Sequence, residues 1–586
     1  MYIYKNGFSK NVFLEELKTN PLAKQIMDAA DTTCKELAGT PIPELEYSKF
    51  KLFDSIGDRI IYEKPYFDRR RRLVGFTVRT WLFGKKEDIT ELENILWAIC
   101  NEFSWALPAH VGGITMGKDI SRFSVDLFAS ETGQSICETL SLCGDLLDPF
   151  VTQRCVNEVF RRIIEPFEEN DVEKYRLWWQ DALSNWATVC GGSVGMCGVY
   201  LIEDEARLKK LTNRAAYSCN KFIESCMDDG CCLEGNAYWT YAMLYYVSFM
   251  ELLKSRTGED IVKDKKKFEN IINFPVRQCL GKGKIPAFSD SHENGGLYFG
   301  IMCKLHDSYG AGMPDSGYYY NCAPRTSTKG DTKICSAVRN IAWFNPSLIK
   351  DTSEKKDVVF PDGQWAIKYG ETDSILAIKG GHNGEPHNHN DIGSFMFIKN
   401  GVTLAADLGA PLYTREYFHG GRYSYLNAAS WGHSVPIING GYQLSGKEHR
   451  ATAFNVDEAK VALEIADAYN KEETGLEKLS RTAIFDKENA SLEIKDRFVF
   501  SKDKNTVIQR VVTHLNTEKI SDNEVLLKDG ETAVGKIVFA GDGELSISFD
   551  SYTVHNTIDV KRSVSLIDFE IAADKNIETK YTIMGM

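Results

Sequence analysis

The sequence predicts a multidomain α+β chain, with a helical domain first and an antiparallel β domain after it. Three observations carry this. The chain has 586 residues, too many for one hydrophobic core, so two large domains or more are expected. The spacing of apolar residues changes from helical to alternating near residue 356. All 15 cysteines lie between Cys34 and Cys335, ahead of that change. These features place a helical domain at 1–335, a linker at 336–356 and a strand domain at 357–586. The stretch 316–333, rich in small and polar residues, leads into the linker.

The helical half is read from its period. In ELENILWAICNEF, Leu92, Ile95, Leu96, Ile99, Cys100 and Phe103 fall on one helical face. The stretch 241–253 is apolar nearly all round, which predicts a buried helix. No strict sequence repeat is visible, so a solenoid of identical units is not supported. In the second half the period is two. Leu492 and Ile494 alternate with Glu493 and Lys495, and Leu545, Ile547 and Phe549 alternate with polar residues. That is the pattern of half-buried strands. Helices followed by strands imply separate layers, and here separate domains.

Composition narrows the function. Hydrophobic residues make up 43% and charged residues 26% of the chain, the balance of a globular protein. The formal net charge is -13, so bulk attraction to nucleic acid is not expected. An acidic polymer would need a local basic cleft. The run Arg69–Arg72 offers one, although a solvated helix face is the ordinary reading. No run of 18 apolar residues exists, so no membrane partner is expected. The amino terminus shows no signal-peptide pattern. The odd cysteine count and the adjacent Cys231 and Cys232 suit reduced thiols, which points to a cytoplasmic location. A homo-oligomer is left open.

The chemistry concentrates in one stretch. Six of the 11 histidines lie between His382 and His449. Within GGHNGEPHNHNDIGSF (380–395), His387 and His389 are two apart, so on a strand they would face one side. Downstream come Asp407 in a strand-like run and His433 before another apolar run. Two neutral imidazoles and a carboxylate suit a divalent metal, zinc first, with manganese or calcium as alternatives. The spacing is not a known finger or zincin pattern.

The stretch 380–395, followed by LAADLG and HSVPIING, closely resembles the C-terminal region of the heparinase II/III family of polysaccharide lyases. The resemblance implies an incomplete (α/α) toroid followed by an antiparallel β-sandwich. It implies that His389, Asp407 and His433 hold a metal, and that His387 faces substrate. SNWATVCGGSVGM (184–196) resembles the family segment whose amide or imidazole neutralises a uronate carboxylate, which assigns Asn185. DDGCCLEGNAYWTYA (228–242) resembles the segment with the catalytic tyrosine, Tyr238 or else Tyr241. From TREYFHGGRYSYLN (414–427) and the residue before it come Tyr413, Tyr417, Arg422 and Tyr423, with Tyr423 expected to reach the cleft. Trp186, Trp239, Glu234 and His382 complete the expected substrate contacts. Trp105, Trp186 and Trp239 could equally be core.

The implied reaction is β-elimination on a glycan containing uronic acid, of glycosaminoglycan type or alginate. The proton at C5 is weakly acidic because the adjacent carboxylate is already charged. Donors around that carboxylate must stabilise the enolate-like state. A base must reach C5–H and an acid the leaving oxygen at C4. Two other readings stand beside it. A glycoside hydrolase could use Asp228, Asp229 and Glu234. A non-catalytic sugar-binding protein would keep the fold alone.

Overall fold

The computed structural model describes residues 8–111, 124–169, 177–319, 332–541, 545–556 and 560–586. The chain forms two compact units with interleaved boundaries. One comprises 1–226, 238–272 and 296–351; the other comprises 227–237, 273–295 and 352–586. The sheet unit therefore takes two excursions from the helical half of the sequence.

The helical unit is built from helices that pack against their neighbours in sequence. Ile60–Phe83 is followed after two residues by Lys86–Cys100, and Asn185–Leu201 after three by Glu205–Ser225. Connections this short make antiparallel hairpins. In Lys86–Cys100 the expected face is buried at Leu92, Ile95, Leu96, Ile99 and Cys100. Phe103, expected on that face, lies beyond the helix end and is 66% exposed. The apolar stretch 241–253 lies inside helix Asn236–Thr257, as its all-round apolarity requires. Its approach to Asn185–Leu201 needs small residues. A Cβ on Gly192 would meet the Tyr245 carbonyl oxygen at 2.8 Å, and one on Gly195 the Phe249 ring at 2.5 Å.

Two expectations for this half are corrected. Residues 336–342 are not linker. They belong to helix Ile334–Ala342, where Ile334, Val338 and Ile341 recur at helical spacing and are buried. Of the polar stretch 316–333, residues 320–331 lie outside the described residues. The Arg69–Arg72 run is neither a cleft nor a solvated face, since all four side chains are buried. Arg70 grips Glu102 through both guanidinium nitrogens, at 2.7 Å for the Nη2 contact. Arg69 donates to the Pro43 carbonyl at 2.8 Å, Arg72 to the Pro41 carbonyl at 2.9 Å, and Arg71 bonds Asp68. Guanidinium groups can be buried when carboxylates and carbonyls take their donors. The described cysteines are buried. No described helix is long and apolar enough to cross a membrane.

The sheet unit holds antiparallel sheets. A five-stranded sheet runs, in spatial order, through Val358–Phe360, Trp365–Tyr369, Ser374–Lys379, Phe395–Lys399 and Val402–Ala405. An eight-stranded sheet is centred on Asn576–Gly585, Ser491–Phe500 and Leu476–Asp486. A four-stranded sheet places Asn505–Thr513 between Ile437–Ile438 and Lys561–Ala573, with Leu545–His555 at its edge. One apolar core joins the three. Leu376 and Phe397 of the first sheet, Phe485 and Ile494 of the second, and Val507 and Phe569 of the third share it. Strand Ser491–Phe500 buries alternate residues, as its sequence predicts. The edge strand Leu545–His555 is less buried than its alternation suggests, with Phe549 37% exposed.

The excursion 273–295 is fastened to the sheets. Glu293 accepts from Lys284 and Thr403 and pairs with Arg562 at 3.2 Å. Burial alone would raise its pKa, but Lys284, Thr403 and Arg562 outweigh it and hold the carboxyl at about 2. The folded pKa lies below the unfolded one, so this stabilisation, about 3 kcal/mol, is complete above about pH 4.5 and is lost as pH falls toward 2. The Tm difference between wild type and Glu293→Gln should shrink across that window. A difference independent of pH would show that the carboxylate is not the anchor.

Candidate active site and metal centre

The segment GGHNGEPHNHNDIGSF forms a looped turn rather than the strand assumed from its H-x-H spacing, because Gly384, Pro386 and successive polar residues break the ladder. Its ends are pinned by buried Lys379, which pairs with Asp391 at 2.8 Å and with Glu385 at 3.4 Å. His387 has φ +56°, the left-handed region that side chains other than glycine's adopt rarely and that clusters at functional sites. The turn nevertheless directs both imidazoles at one group, the carboxylate of Asp290.

Asp290 comes from the excursion 273–295 and its side chain is fully buried. His387 Nδ1 lies 2.8 Å from Oδ2, and Arg422 donates to the same oxygen at 2.9 Å. His389 Nε2 lies 3.0 Å from Oδ1, to which the Tyr417 hydroxyl donates at 2.6 Å. Burial alone would raise the Asp290 pKa. The His387 and His389 hydrogen bonds and the Arg422 charge reverse this and hold it well below the usual carboxylate range. Asp290 is seated by its neighbours. Gly409 has φ +59°, and a Cβ there would lie 2.3 Å from the Ser291 carbonyl oxygen. That same oxygen accepts from the Ala410 N–H at 2.9 Å.

On its other nitrogen, His387 Nε2 lies 3.7 Å from Glu234 Oε2, with Glu234 almost fully buried. Arg422 also donates to the Asn388 carbonyl at 2.7 Å and lies over the Tyr417 ring at 4.4 Å. The Tyr423 hydroxyl accepts from Asn388 at 3.2 Å. Tyr413 stacks on Tyr417, with centroids 5.6 Å apart. His382 is half-buried, and its Nδ1 accepts from the Gly384 N–H at 3.1 Å, so that nitrogen serves the turn.

Behind this layer, ligand atoms of His389, Asp407 and His433 lie within 4.8 Å of one another, and all three residues are buried. Asp407 sits two residues past strand Val402–Ala405, and His433 directly follows the short helix Ser430–Gly432. His433 Nδ1 lies 3.2 Å from Asp407 Oδ2. His389 Nδ1 and His433 Nε2 are buried without a hydrogen-bond partner. Orphaned buried imidazole nitrogens are costly unless something binds them. Burial opposes charge on Asp407, yet His433 keeps it ionised below its usual pKa, and Asp407 in turn raises that of His433. This group could hold a metal ion.

In the helical unit, Asn185 opens helix Asn185–Leu201 and is 1% exposed. Trp186 packs against Trp178 at 4.8 Å and His110 at 4.9 Å, and His110 pairs with Asp126 at 2.7 Å. Tyr238 is partly exposed on helix Asn236–Thr257. One turn on, Tyr241 donates to Glu131 at 2.7 Å, as do Tyr245 and Lys333 at the same distance. Burial and the Glu131 charge push the Tyr241 phenol well above its usual pKa. Trp239 is not a sugar contact. It is 1% exposed, and its indole N–H donates to the Ile271 carbonyl at 2.9 Å. Trp105 is likewise core, donating to the Ile99 carbonyl. Asp229, a carboxylate of the hydrolase reading, accepts from the backbone N–H groups of Asp362 and Gly363 and so fastens a loop.

Asp290 and Glu131 were not picked out by sequence reasoning. Asp290 lies 97 residues before His387, in FSDSHENGG, where no spacing marks it.

The fold and the buried His/Asp/His group define a class: a helical unit joined to an antiparallel β-sandwich that carries a candidate metal centre. Residues 352–582 match the family described as Heparinase II/III-like, C-terminal. The chain is similar in structure to a crystal structure of heparinase III, with TM-score 0.65 and 12% identity, over 100% of this chain and 87% of that one. It is similar to a heparan sulfate lyase from Pedobacter heparinus, with TM-score 0.58 and 13% identity, over 97% and 84% of the two chains. A mutant chondroitin AC lyase from Streptomyces coelicolor A3 aligns with TM-score 0.51 and 10% identity, over 97% and 80%. These likenesses extend the shared fold, an incomplete (α/α) toroid followed by a β-sandwich, to nearly the whole chain. No curated protein sequence matches it.

Proposed function

We propose that the chain is a polysaccharide lyase that cleaves uronate-containing glycans of glycosaminoglycan type by β-elimination. The observation that carries this is the seating of His387: the buried Asp290 carboxylate holds Nδ1 at 2.8 Å, which fixes the ring and directs Nε2 away from Asp290. The family match of the sheet unit and the names of the structural neighbours support the same chemistry. In the reaction the C5–H bond breaks, its electrons form the C4=C5 double bond, and the C4–O bond breaks as the leaving oxygen takes a proton. Asn185 donates to the uronate carboxylate without competing as a base. Tyr238 serves C5–H on one face of the sugar and His387 on the other, so the two uronate epimers use different bases. Arg422, Tyr413, Tyr423 and Trp186 contribute to the sugar site. Alginate-type substrates are the second reading within the same chemistry.

The test is an ultraviolet assay over heparan sulfate, chondroitin, hyaluronan and alginate. A lyase leaves an unsaturated uronate that absorbs. Cleavage without absorbing products would establish a hydrolase instead.

His389, Asp407 and His433 would hold the ion, and their donor set favours zinc. When bound it supplies a fixed positive charge that anchors the loop carrying His387. Chelation is then expected to lower Tm and turnover together, and zinc should restore both. At a free-metal concentration a hundredfold above Kd, the lost stabilisation is about 2.7 kcal/mol. Unchanged melting and unchanged activity after complete removal would exclude the metal role. The odd cysteine count and the adjacent Cys231 and Cys232 favour a reducing, cytoplasmic setting, which cell fractionation would check.

A further inference from the structure

The Asp290 carboxylate is saturated. An ionised carboxylate offers about four lone-pair sites, and four donors fill them: His389 and Tyr417 on Oδ1, His387 and Arg422 on Oδ2. No lone-pair site is left for another donor. Because this carboxylate only accepts, both imidazoles must donate to it, which fixes the nitrogen each ring turns toward it. His387 donates through Nδ1 and turns Nε2 away from Asp290, toward Glu234 at 3.7 Å. His389 carries its hydrogen on Nε2 and leaves Nδ1 bare, and Nδ1 is the buried nitrogen without a partner. One carboxylate thus sets the His389 nitrogen presented to a metal and the direction of His387 Nε2.

We infer that Asp290 is a positioning residue that couples the His389–Asp407–His433 centre to His387, so that metal affinity and the catalytic pose of His387 depend on the same group. This rests on the proposed function only for its activity readout. The two histidines take opposite oxygens of one rigid carboxylate. Tilting it to suit one ring misplaces the other. Asparagine cannot substitute, because its amide nitrogen would confront two of the four donors.

Asp290→Asn is expected to weaken zinc binding, measured by competition with a chromogenic chelator, roughly 10- to 100-fold. At saturating zinc, kcat should still be at least about tenfold lower while KM stays within about threefold, the mark of misplacement rather than lost binding. The ¹⁵N shifts of His387 should report the Nδ1–H tautomer in the wild type and its loss in the variant, whatever the activity. Tyr417→Phe keeps the carboxylate and removes one donor. It should move all three readouts the same way by less, and it decides the matter if Asp290→Asn does not fold. His387→Ala, which also removes one Asp290 donor, should abolish most turnover while weakening zinc binding no more than Tyr417→Phe does, which separates lost activity from lost metal. The inference is overturned if Asp290→Asn binds zinc within about twofold of wild type, or if saturating zinc restores its kcat. If the wild type yields no unsaturated product, the lyase reading fails alone, and zinc affinity with the His387 tautomer decides the coupling.

Discussion

His387→Ala should lower kcat/KM by about 10²- to 10⁴-fold, the range for removing a positioned acid–base group. The loss should be uneven between substrates. On the uronate epimer whose C5–H faces the imidazole, turnover should collapse. On the other epimer the loss should be smaller, because there the ring contributes only polar contact. The cause lies in how the ring is held. Nδ1 is fixed at 2.8 Å from a buried carboxylate, so the side chain is preorganised and little reorientation is needed as the proton moves. Initial rates on defined glucuronate and iduronate oligosaccharides, followed by ultraviolet absorption, measure this. Equal losses on both would refute the division of labour between two bases.

Tyr238→Phe should produce a loss of similar size, about 10²- to 10⁴-fold, and should spare the epimer that depends on His387. The contrast with Tyr241→Phe gives the experiment its force. A tyrosine base must give up its phenolic proton. The Tyr241 hydroxyl donates to Glu131, which also receives Tyr245 and Lys333, and ionising it would set a phenolate against a carboxylate. Tyr241→Phe should therefore cost stability, about 0.5–1.5 kcal/mol for one hydrogen bond, and less than about tenfold in turnover. If Tyr241→Phe were the inactive variant, the base would have to be reassigned.

Parts of this architecture are legible in the sequence for identifiable reasons. The shift from helical to alternating period marks where strands begin, since each reports one buried face. His389, Asp407 and His433 can be grouped from residue type and order, and the structure brings them together. The H-x-H spacing, however, suggests a strand where a turn exists, because period-two reasoning ignores the glycine and proline between the flanking strands. The arginine run misleads in another way. Charge patterning presumes solvent, and these guanidinium groups find Glu102 and backbone carbonyls instead. Trp239 matches a segment associated with catalysis, yet it faces the wrong way for it. Asp290 was beyond reach because its partners are remote in sequence, and only folding reveals that one aspartate meets two histidines.

The crossing of the chain between the two units has a consequence for protein engineering. The region matched to the family begins at residue 352, and cutting there would seem to yield a self-sufficient module. Such a fragment would lack Glu234 and Asp290, leaving Arg422 and two imidazoles facing a hole where their shared anion belongs. Chimeras made by a single crossover inherit the same defect, joining one parent's histidines to another parent's aspartate. Swapping the catalytic end of this scaffold requires transplanting three separate stretches of gene together.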